Sequence, residues 1–223
     1  MNAAGARARS PASLTQGVIA WWLVCIALAW PALAFDPVPL TLPPDFWAAL
    51  PRALVLRPDA GPHQSLLSWW ATVWLHGSLP HLWWNLAGTV LLILLGWVIR
   101  PGAVGAIAWL LAWPLTQVGM LLEPTLTTYV GLSGVLHAGV VVLGLSCLAP
   151  ERRPANGVVG WVLLAWLGGK LLMENPWAHT LVMSSASAIN VAPWAHLSGS
   201  VAGALSWFAV RMAWPRPTHI PPV

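Results

Sequence analysis

Six long apolar stretches divide this chain of 223 residues, and they constrain its fold more than any other feature. About 20 consecutive apolar residues cross the hydrocarbon core of a bilayer as an α-helix. Because 58% of the residues are hydrophobic and only 7% are charged, the chain lacks the charged surface of a soluble globule. We therefore predict an all-α membrane protein, a bundle of six transmembrane helices at 17–35, 82–99, 102–122, 131–149, 157–173 and 194–213.

These helices are expected to form a single membrane domain over 17–213, between short cytoplasmic tails at 1–16 and 214–223. Only the connection 36–81 is long, and it is rich in proline and aromatic residues. Since proline interrupts regular structure, we predict an irregular or partly helical outer loop at the membrane interface. No internal repeat is apparent, which weighs against a transporter built from duplicated halves.

The first apolar stretch has two interpretations. Arg7, Arg9 and the Ala32-Leu33-Ala34 ending are typical of a cleavable secretory signal peptide. The stretch is longer than the apolar region of most signal peptides, and its tryptophans are typical of the interfacial anchors of a retained helix. Length favours retention, and no candidate site residue lies in this stretch under either interpretation.

The distribution of charge predicts an orientation, because cytoplasmic loops carry an excess of lysine and arginine. With a cytoplasmic N-terminus, the inner segments contain seven arginines and one acid, whereas the outer segments contain five acids and two arginines. Spans two, four and six then run from outside to inside, so their N-terminal ends meet at the outer face. Lys170, near the outer end of the fifth span, is expected to snorkel to the surface.

Several other classes of protein and site are not supported. The sequence pI of about 10.1 does not indicate nucleic-acid binding, because no basic cluster occurs beyond Arg152 and Arg153. Cys25 and Cys147 lie inside apolar stretches, where cysteine behaves as a small hydrophobe, so a disulfide framework is not expected. Four histidines lie in loops or tails and are expected to be solvated: His63, His76, His179 and His219. Because His76 is near His81, it is also a candidate for the rim of a cavity.

A serine between glycines opens the fourth span. In Gly131-Leu132-Ser133-Gly134 the glycines let the backbone approach a substrate carbonyl closely. A serine at a helix N-terminus is equally typical of a helix cap, and on this string alone capping is the better interpretation. The context of a short loop and a membrane helix excludes the strand-to-helix elbow of soluble hydrolases.

A histidine opens the sixth span. His196 precedes Gly199 by three residues, and Gly203 follows one turn later. This stripe of small residues lets the helix pack closely on a neighbour and brings the imidazole toward it. If that neighbour is the fourth span, His196 can accept the proton of the Ser133 hydroxyl, which an activated serine nucleophile requires. The alternative is helix packing with a histidine at the membrane interface.

A histidine and an asparagine open the second span. His81 and Asn85 are four residues apart and therefore lie on one helical face. Both can donate hydrogen bonds, as the donors of an oxyanion hole must, and the backbone N–H of Ser133 would be a further donor. Interhelical hydrogen bonding by the asparagine, with an interfacial histidine, is an equally good interpretation of this pair alone.

Together these motifs resemble those of the rhomboid intramembrane serine proteases, over most of the chain. The resemblance is carried in order by His81-x-x-x-Asn85, Gly131-x-Ser133-Gly134 and Ala195-His196-x-x-Gly199-x-x-x-Gly203. It implies a six-helix rhomboid-like bundle and a Ser133–His196 dyad without an essential acid. It also implies an oxyanion hole from His81, Asn85 and the Ser133 N–H, in a water-filled cavity open to the outside. No metal or cofactor belongs to that mechanism.

The chain departs from the general rhomboid pattern in three places. A Trp-Arg pair is missing from the first loop, and Arg-Pro-Gly at 100–102 replaces the glutamate usual after the second span. These departures leave the role of the loop and of lateral-gate contacts open. Four residues after Ser133, where many rhomboids place an aromatic ring, stands His137. It is expected to stack on His196 or share a proton with it, or else to bond a backbone carbonyl.

The string Gly-x-Ser-Gly-x-x-His, in a short chain without an extra domain, is similar to that of the rhombosortase branch. This resemblance implies a substrate anchored in the lipid bilayer by a C-terminal tail, which consists of a Gly-Gly-like motif, one transmembrane helix and a basic cluster. It implies a bacterial inner membrane location and a site facing the periplasmic side. The alternatives are a rhomboid with other single-span substrates, a non-catalytic membrane-client binding protein, and a small transporter or channel.

Overall fold

The computed structural model describes residues 11–152, 154–184 and 189–214, and most of them are helical. The α-helices in these residues are α1 (Pro11–Ala29), α2 (Ala49–Leu54), α3 (Ser68–Ala71), α4 (Leu79–Ile99), α5 (Gly102–Met120), α6 (Ser133–Leu148), α7 (Pro154–Glu174) and α8 (Pro193–Ala213). A small antiparallel hairpin, β1 (Val182–Ser184) and β2 (Ile189–Val191), joins α7 to α8.

Four of the described helices are long and apolar enough to cross a membrane: α1 with the short 3₁₀ turn that follows it, α4, α5 and α7. The apolar helix α6 has only 16 residues. Helix α8 has 21 residues, and its histidine, arginine and serines make it less apolar than the other long helices. The prediction of a helical membrane protein is therefore confirmed, with four candidate spans.

The helix ends follow from local sequence. Helix α4 begins after Ser78, whose hydroxyl accepts a hydrogen bond from the backbone N–H of His81 at 3.2 Å. It ends at Ile99, because the next residue, Arg100, has a positive φ of 54° and precedes a proline that cannot continue the helix. Helix α1 begins at Pro11, inside the tail predicted for 1–16. Residues 1–10 and 215–223 of the predicted tails lie outside the described residues.

Helix α6 lies at the centre of the bundle, in contact with α4, α5, α7 and α8, and α8 packs mainly on α5 and α6. Helix α1 packs on α4 and α5 through Trp21, which is fully buried. The Trp21 ring stacks on that of Trp109 with centroids 4.3 Å apart, and its Nε1 donates to the carbonyl of Leu92 at 2.9 Å. Cys25 and Cys147 are both buried and free.

The connection between α1 and α4 is irregular and partly helical, and we call residues 35–78 the lobe. It has its own apolar cluster, which includes Val38, Trp47, Leu54 and Leu75. A backbone bridge between Leu56 and Tyr129 ties the lobe to the loop before α6. The lobe is thereby attached to the end of the bundle at which α4, α6 and α8 begin.

Candidate active site

The polar side chains of the candidate site lie at one end of the bundle. Helices α4, α6 and α8 begin there, and α7 ends there, so a few residues from each reach a common region. Ser133 and His81 line one cavity of about 690 Å³, whose other walls come from the loop at 125–130 and from residues flanking α8. The sequence-based prediction that these three N-terminal ends meet agrees with this arrangement.

Ser133 and His196 are in hydrogen-bond contact. The Ser133 Oγ lies 2.9 Å from the His196 Nε2, and the histidine is 3% exposed. Ser133 is the first residue of α6, whose N-cap is Leu132, and no side-chain hydrogen bond caps the helix. The capping interpretation of this serine is therefore wrong. The geometry is that of a serine hydroxyl beside the base that can remove its proton.

Two glycines make this contact possible. A Cβ atom on Gly199 would lie 1.9 Å from the carbonyl oxygen of Gly134, and one on Gly203 would lie 2.6 Å from that of Ala138. The backbones of α6 and α8 therefore approach more closely than any side chain would allow. This approach carries His196, one turn before Gly199, to the serine on the facing helix.

His137 occupies the position between the two helices that the sequence indicated. Its ring stacks on that of His196 with centroids 3.9 Å apart and an interplanar angle of 12°. Its Nδ1 lies 2.7 Å from the backbone carbonyl of Ser133 and must therefore carry a proton. The stacking and the carbonyl contact, which were predicted as alternatives, occur together. The buried Nε2 of His137 has no hydrogen-bond partner among the described residues.

Glu174 and Lys170 complete the surroundings of His196, and the sequence did not predict either role. The Glu174 Oε2 lies 2.7 Å from the His196 Nδ1, and Lys170 bonds the other carboxylate oxygen. Lys170 was expected to snorkel to the surface, but its ammonium group lies 3.3 Å from the same His196 nitrogen. The Lys170 side chain is 30% exposed, so it reaches the surface, and the carboxylate one turn along α7 keeps its ammonium group beside the site.

His81 and Asn85 lie on the other side of the serine, close to Gly131. A Cβ on Gly131 would lie 2.8 Å from the Cε1 of His81 and 3.9 Å from the Nδ2 of Asn85. Gly131 also has a φ of +121°, a conformation that favours glycine, so its flexibility and its lack of a side chain are both required. The Asn85 Nδ2 is buried and has no hydrogen-bond partner in the described part of the chain. An amide in this state is available to an incoming acceptor.

Two further residues near the cavity, Tyr129 and His76, were not assigned to the site from the sequence. The Tyr129 hydroxyl donates to the carbonyl of Gly131 at 3.2 Å, and burial raises the pKa of this phenol, so it stays protonated. His76 was expected to be solvated but is 3% exposed, with its ring against that of His81. Burial and the His81 ring lower the pKa of His76 to about 3, so it is neutral at physiological pH.

His137, Glu174 and His196 also form the kind of cluster that can hold a metal ion, with ligand atoms within 4.8 Å of one another. The geometry does not favour that use. The two imidazole rings are stacked face to face, so the in-plane lone pairs of their nitrogens run side by side and do not converge on one point. Hydrogen bonds to Ser133 and Glu174 already account for both His196 nitrogens.

Comparisons with known proteins add no identification. No family model matches the chain, and neither the curated proteins nor the solved structures contain a match.

Proposed function

We propose that this chain is an intramembrane serine endopeptidase that uses Ser133 as nucleophile and His196 as general base. The observation that carries the proposal is the 2.9 Å contact between the Ser133 Oγ and the His196 Nε2, at the edge of a cavity and in a helical membrane protein. A serine hydroxyl is a weak nucleophile unless an adjacent base removes its proton. A buried imidazole placed at that distance meets this requirement.

The chemistry follows from the atoms around the serine. His196 takes the hydroxyl proton while the Oγ attacks the scissile carbonyl, and the resulting imidazolium gives the proton to the leaving amine. The Asn85 amide, the His81 ring and the Ser133 backbone N–H stabilise the oxyanion. The last of these belongs to the first residue of α6, where backbone N–H groups lack an intrahelical acceptor. Water then attacks the acyl-enzyme, with His196 again as base.

The substrate class comes from the setting of the site and from the sequence motifs. The cavity adjoins helices suited to a bilayer, so the substrate is a membrane-anchored protein whose scissile bond lies near the membrane surface. We propose six spans, with α6 and α8 as the fourth and sixth, and an active site that faces the periplasmic side of a bacterial inner membrane. In the rhombosortase-like form of this proposal, the enzyme removes C-terminal tails that carry a Gly-Gly-like motif.

Two assays with one pair of variants test the activity. A fluorophosphonate probe should label the purified protein, and labelling should be lost in both Ser133→Ala and His196→Ala. A reporter with a C-terminal Gly-Gly motif, transmembrane helix and basic cluster should be cleaved by the wild type only, because removing the nucleophile leaves almost no hydrolysis. Ser133→Ala should still insert and purify normally. Equal cleavage by Ser133→Ala would end the proposal.

The substrate preference is tested separately. A second reporter, with Leu-Leu in place of Gly-Gly, should be cleaved poorly, because residues at the scissile bond must leave the helical conformation and glycine lowers that cost. Equal cleavage of both reporters would remove the rhombosortase-like form and leave a general rhomboid-like peptidase. Client binding without cleavage or labelling would instead indicate a non-catalytic binding protein.

A further inference from the structure

We infer that Glu174 is a positioning residue that turns the Ser133–His196 pair into a Ser–His–Glu triad, with Lys170 holding the carboxylate in place. The inference rests on the proposed peptidase function and goes beyond the two-residue mechanism that the motifs imply. It assigns a role to the last residue of α7, a helix that carries none of the three sequence motifs.

The hydrogen bonds fix the protonation state of the imidazole. An ionised carboxylate can only accept a hydrogen bond, so its contact with the His196 Nδ1 places the proton of the neutral ring on Nδ1 and leaves Nε2 free to accept from the Ser133 hydroxyl. The Nδ1–H then donates to the Glu174 Oε2, 2.7 Å away. The carboxylate thus selects the tautomer that leaves Nε2 free as a base, and it stabilises the imidazolium that forms when the serine attacks. Glu174 stays ionised throughout and takes up no proton.

Lys170 sets the orientation of the carboxylate. Its ammonium group bonds the Glu174 Oε1, one turn away on α7, which leaves Oε2 directed at His196. The Glu174 side chain is 20% exposed and that of His196 only 4%. The carboxylate therefore retains some hydration, which lowers the cost of keeping it charged, while its partner nitrogen is shielded from water.

Lys170 also determines how the amide of a Glu174→Gln variant is oriented, which makes that variant a test of tautomer selection. In Glu174→Gln the ammonium group still requires an acceptor, so it takes the amide oxygen and turns the NH₂ group toward the His196 Nδ1. A donor at that position requires an unprotonated Nδ1 and puts the proton on Nε2, where it blocks the base. Glu174→Ala alone would leave the Lys170 ammonium, a donor, 3.3 Å from the His196 Nδ1, so the alanine comparison is the double variant Glu174→Ala/Lys170→Ala, which leaves no donor there. If tautomer selection is the function of Glu174, the nearly isosteric glutamine should impair the enzyme at least as much as the double alanine variant.

The experiment measures kcat and KM for the reporter, and the rate of fluorophosphonate labelling, per folded molecule. In Glu174→Gln we expect kcat to fall about 10²–10⁴-fold with little change in KM, since the analogous acid-to-amide change in a Ser-His-Asp triad costs about 10⁴-fold. Labelling should slow in parallel, and Glu174→Ala/Lys170→Ala should retain at least as much activity as Glu174→Gln. The matched control is Glu151→Gln, which removes an ion-paired carboxylate at the opposite end of the bundle and should leave kcat unchanged.

The outcomes separate the inference from the function on which it rests. Wild-type cleavage that requires Ser133, combined with a Glu174→Gln variant that keeps more than about half of the wild-type kcat, would overturn the triad and leave the peptidase intact. A double alanine variant much less active than the glutamine variant, with matching losses of thermal stability, would show that Glu174 only supports the fold. Absence of any Ser133-dependent labelling in the wild type would overturn the peptidase itself, and the triad with it.

Discussion

At the scale of single residues, the most informative polar group is one without a partner. The buried Nδ2 of Asn85 lies beside Gly131 and makes no hydrogen bond within the described residues. A buried, unsatisfied donor destabilises the folded state, so its presence requires a reason. A donor that acquires its acceptor only when the oxyanion forms stabilises the transition state without stabilising the resting enzyme.

This argument predicts opposite effects on rate and stability for Asn85→Leu. The rate should fall about 10²–10³-fold, as for loss of one oxyanion donor, while thermal stability stays the same or rises. The control is Thr89→Val, one turn farther along α4, where the lost hydroxyl bonds only a carbonyl of the same helix. Reporter cleavage and thermal unfolding are measured on both variants. A large loss of stability with Asn85→Leu would indicate that the asparagine has a structural role.

His76 provides a second prediction, on acid stability. The unfolded chain binds a proton at this histidine near its ordinary pKa of 6.5, whereas the folded protein does so only near 3. The contribution of His76 to the free energy of unfolding is therefore fully present above about pH 6.5 and is lost as the pH falls toward 3. Between about pH 6.5 and 5 the wild type therefore loses unfolding free energy that His76→Phe does not lose. We expect the loss in the variant to be smaller than that in the wild type by about 2 kcal/mol.

Thermal unfolding at the two pH values tests this, with His63→Phe, the same change at an exposed histidine of the lobe, as control. The pH dependence of the control should match that of the wild type. If His76→Phe also matches the wild type, proton binding at this position does not contribute to acid unfolding.

The site residues that were predicted from the sequence and the one that was missed stand in different local settings. The predicted residues stand in apolar helices, where a polar group is costly and therefore conspicuous. They are Ser133, His196, Asn85 and His81. Glu174 ends its helix, where a charged residue is ordinary, and its contact with His196 depends on how α7 meets α8. The i, i+4 spacing of Lys170 and Glu174 was the available signal, but it is also typical of a plain surface ion pair.

At the scale of elements, the contact between α6 and α8 determines whether the serine and the base meet. A methyl group on Gly199 would collide with backbone atoms of Gly134, which cannot rotate away as a side chain would. Gly199→Ala must therefore push the helices apart or tilt one of them. Such overpacking costs typically about 1–3 kcal/mol, and displacement of the base by 1 Å can lower the rate about 10²-fold.

The matched control is Gly157→Ala on α7, where an added Cβ has nothing within 4 Å. That change should be neutral or slightly stabilising, because alanine favours the helix more than glycine does. Fluorophosphonate labelling should be lost or strongly slowed in Gly199→Ala only. Full labelling of Gly199→Ala would show that the site tolerates separation of the two helices.

The elements themselves were largely predictable. Long apolar runs and bounding prolines placed the five helices α4 to α8 within about three residues, because both signals are local in sequence, whereas α1 begins at Pro11, six residues before the predicted start at 17. The lobe was not predictable in detail. Its short helices and the bridge from Leu56 to Tyr129 depend on contacts between segments distant in the chain, which no local pattern encodes.

At the scale of the whole molecule, charge is divided between the two ends. Arg152 donates to the carbonyls of Ile99 and Arg100, and Arg211 pairs with Glu151, so these charged residues gather at one end of the bundle. The other end holds the site and the lobe. Since arginine-rich ends stay in the cytoplasm, this division predicts that the active site faces outward.

A membrane-impermeant fluorophosphonate tests this orientation. In intact spheroplasts it should label the wild type as fully as in lysed cells, and it should label Ser133→Ala in neither. An outward site is reached directly from the medium, whereas a cytoplasmic site is shielded by the bilayer. Labelling that requires lysis would reverse the topology and place the substrate's scissile bond on the cytoplasmic side, while leaving the Ser133–His196 chemistry in place. The proposed removal of C-terminal tails requires the first result, because only an outward-facing nucleophile can reach a tail motif that has already crossed the membrane.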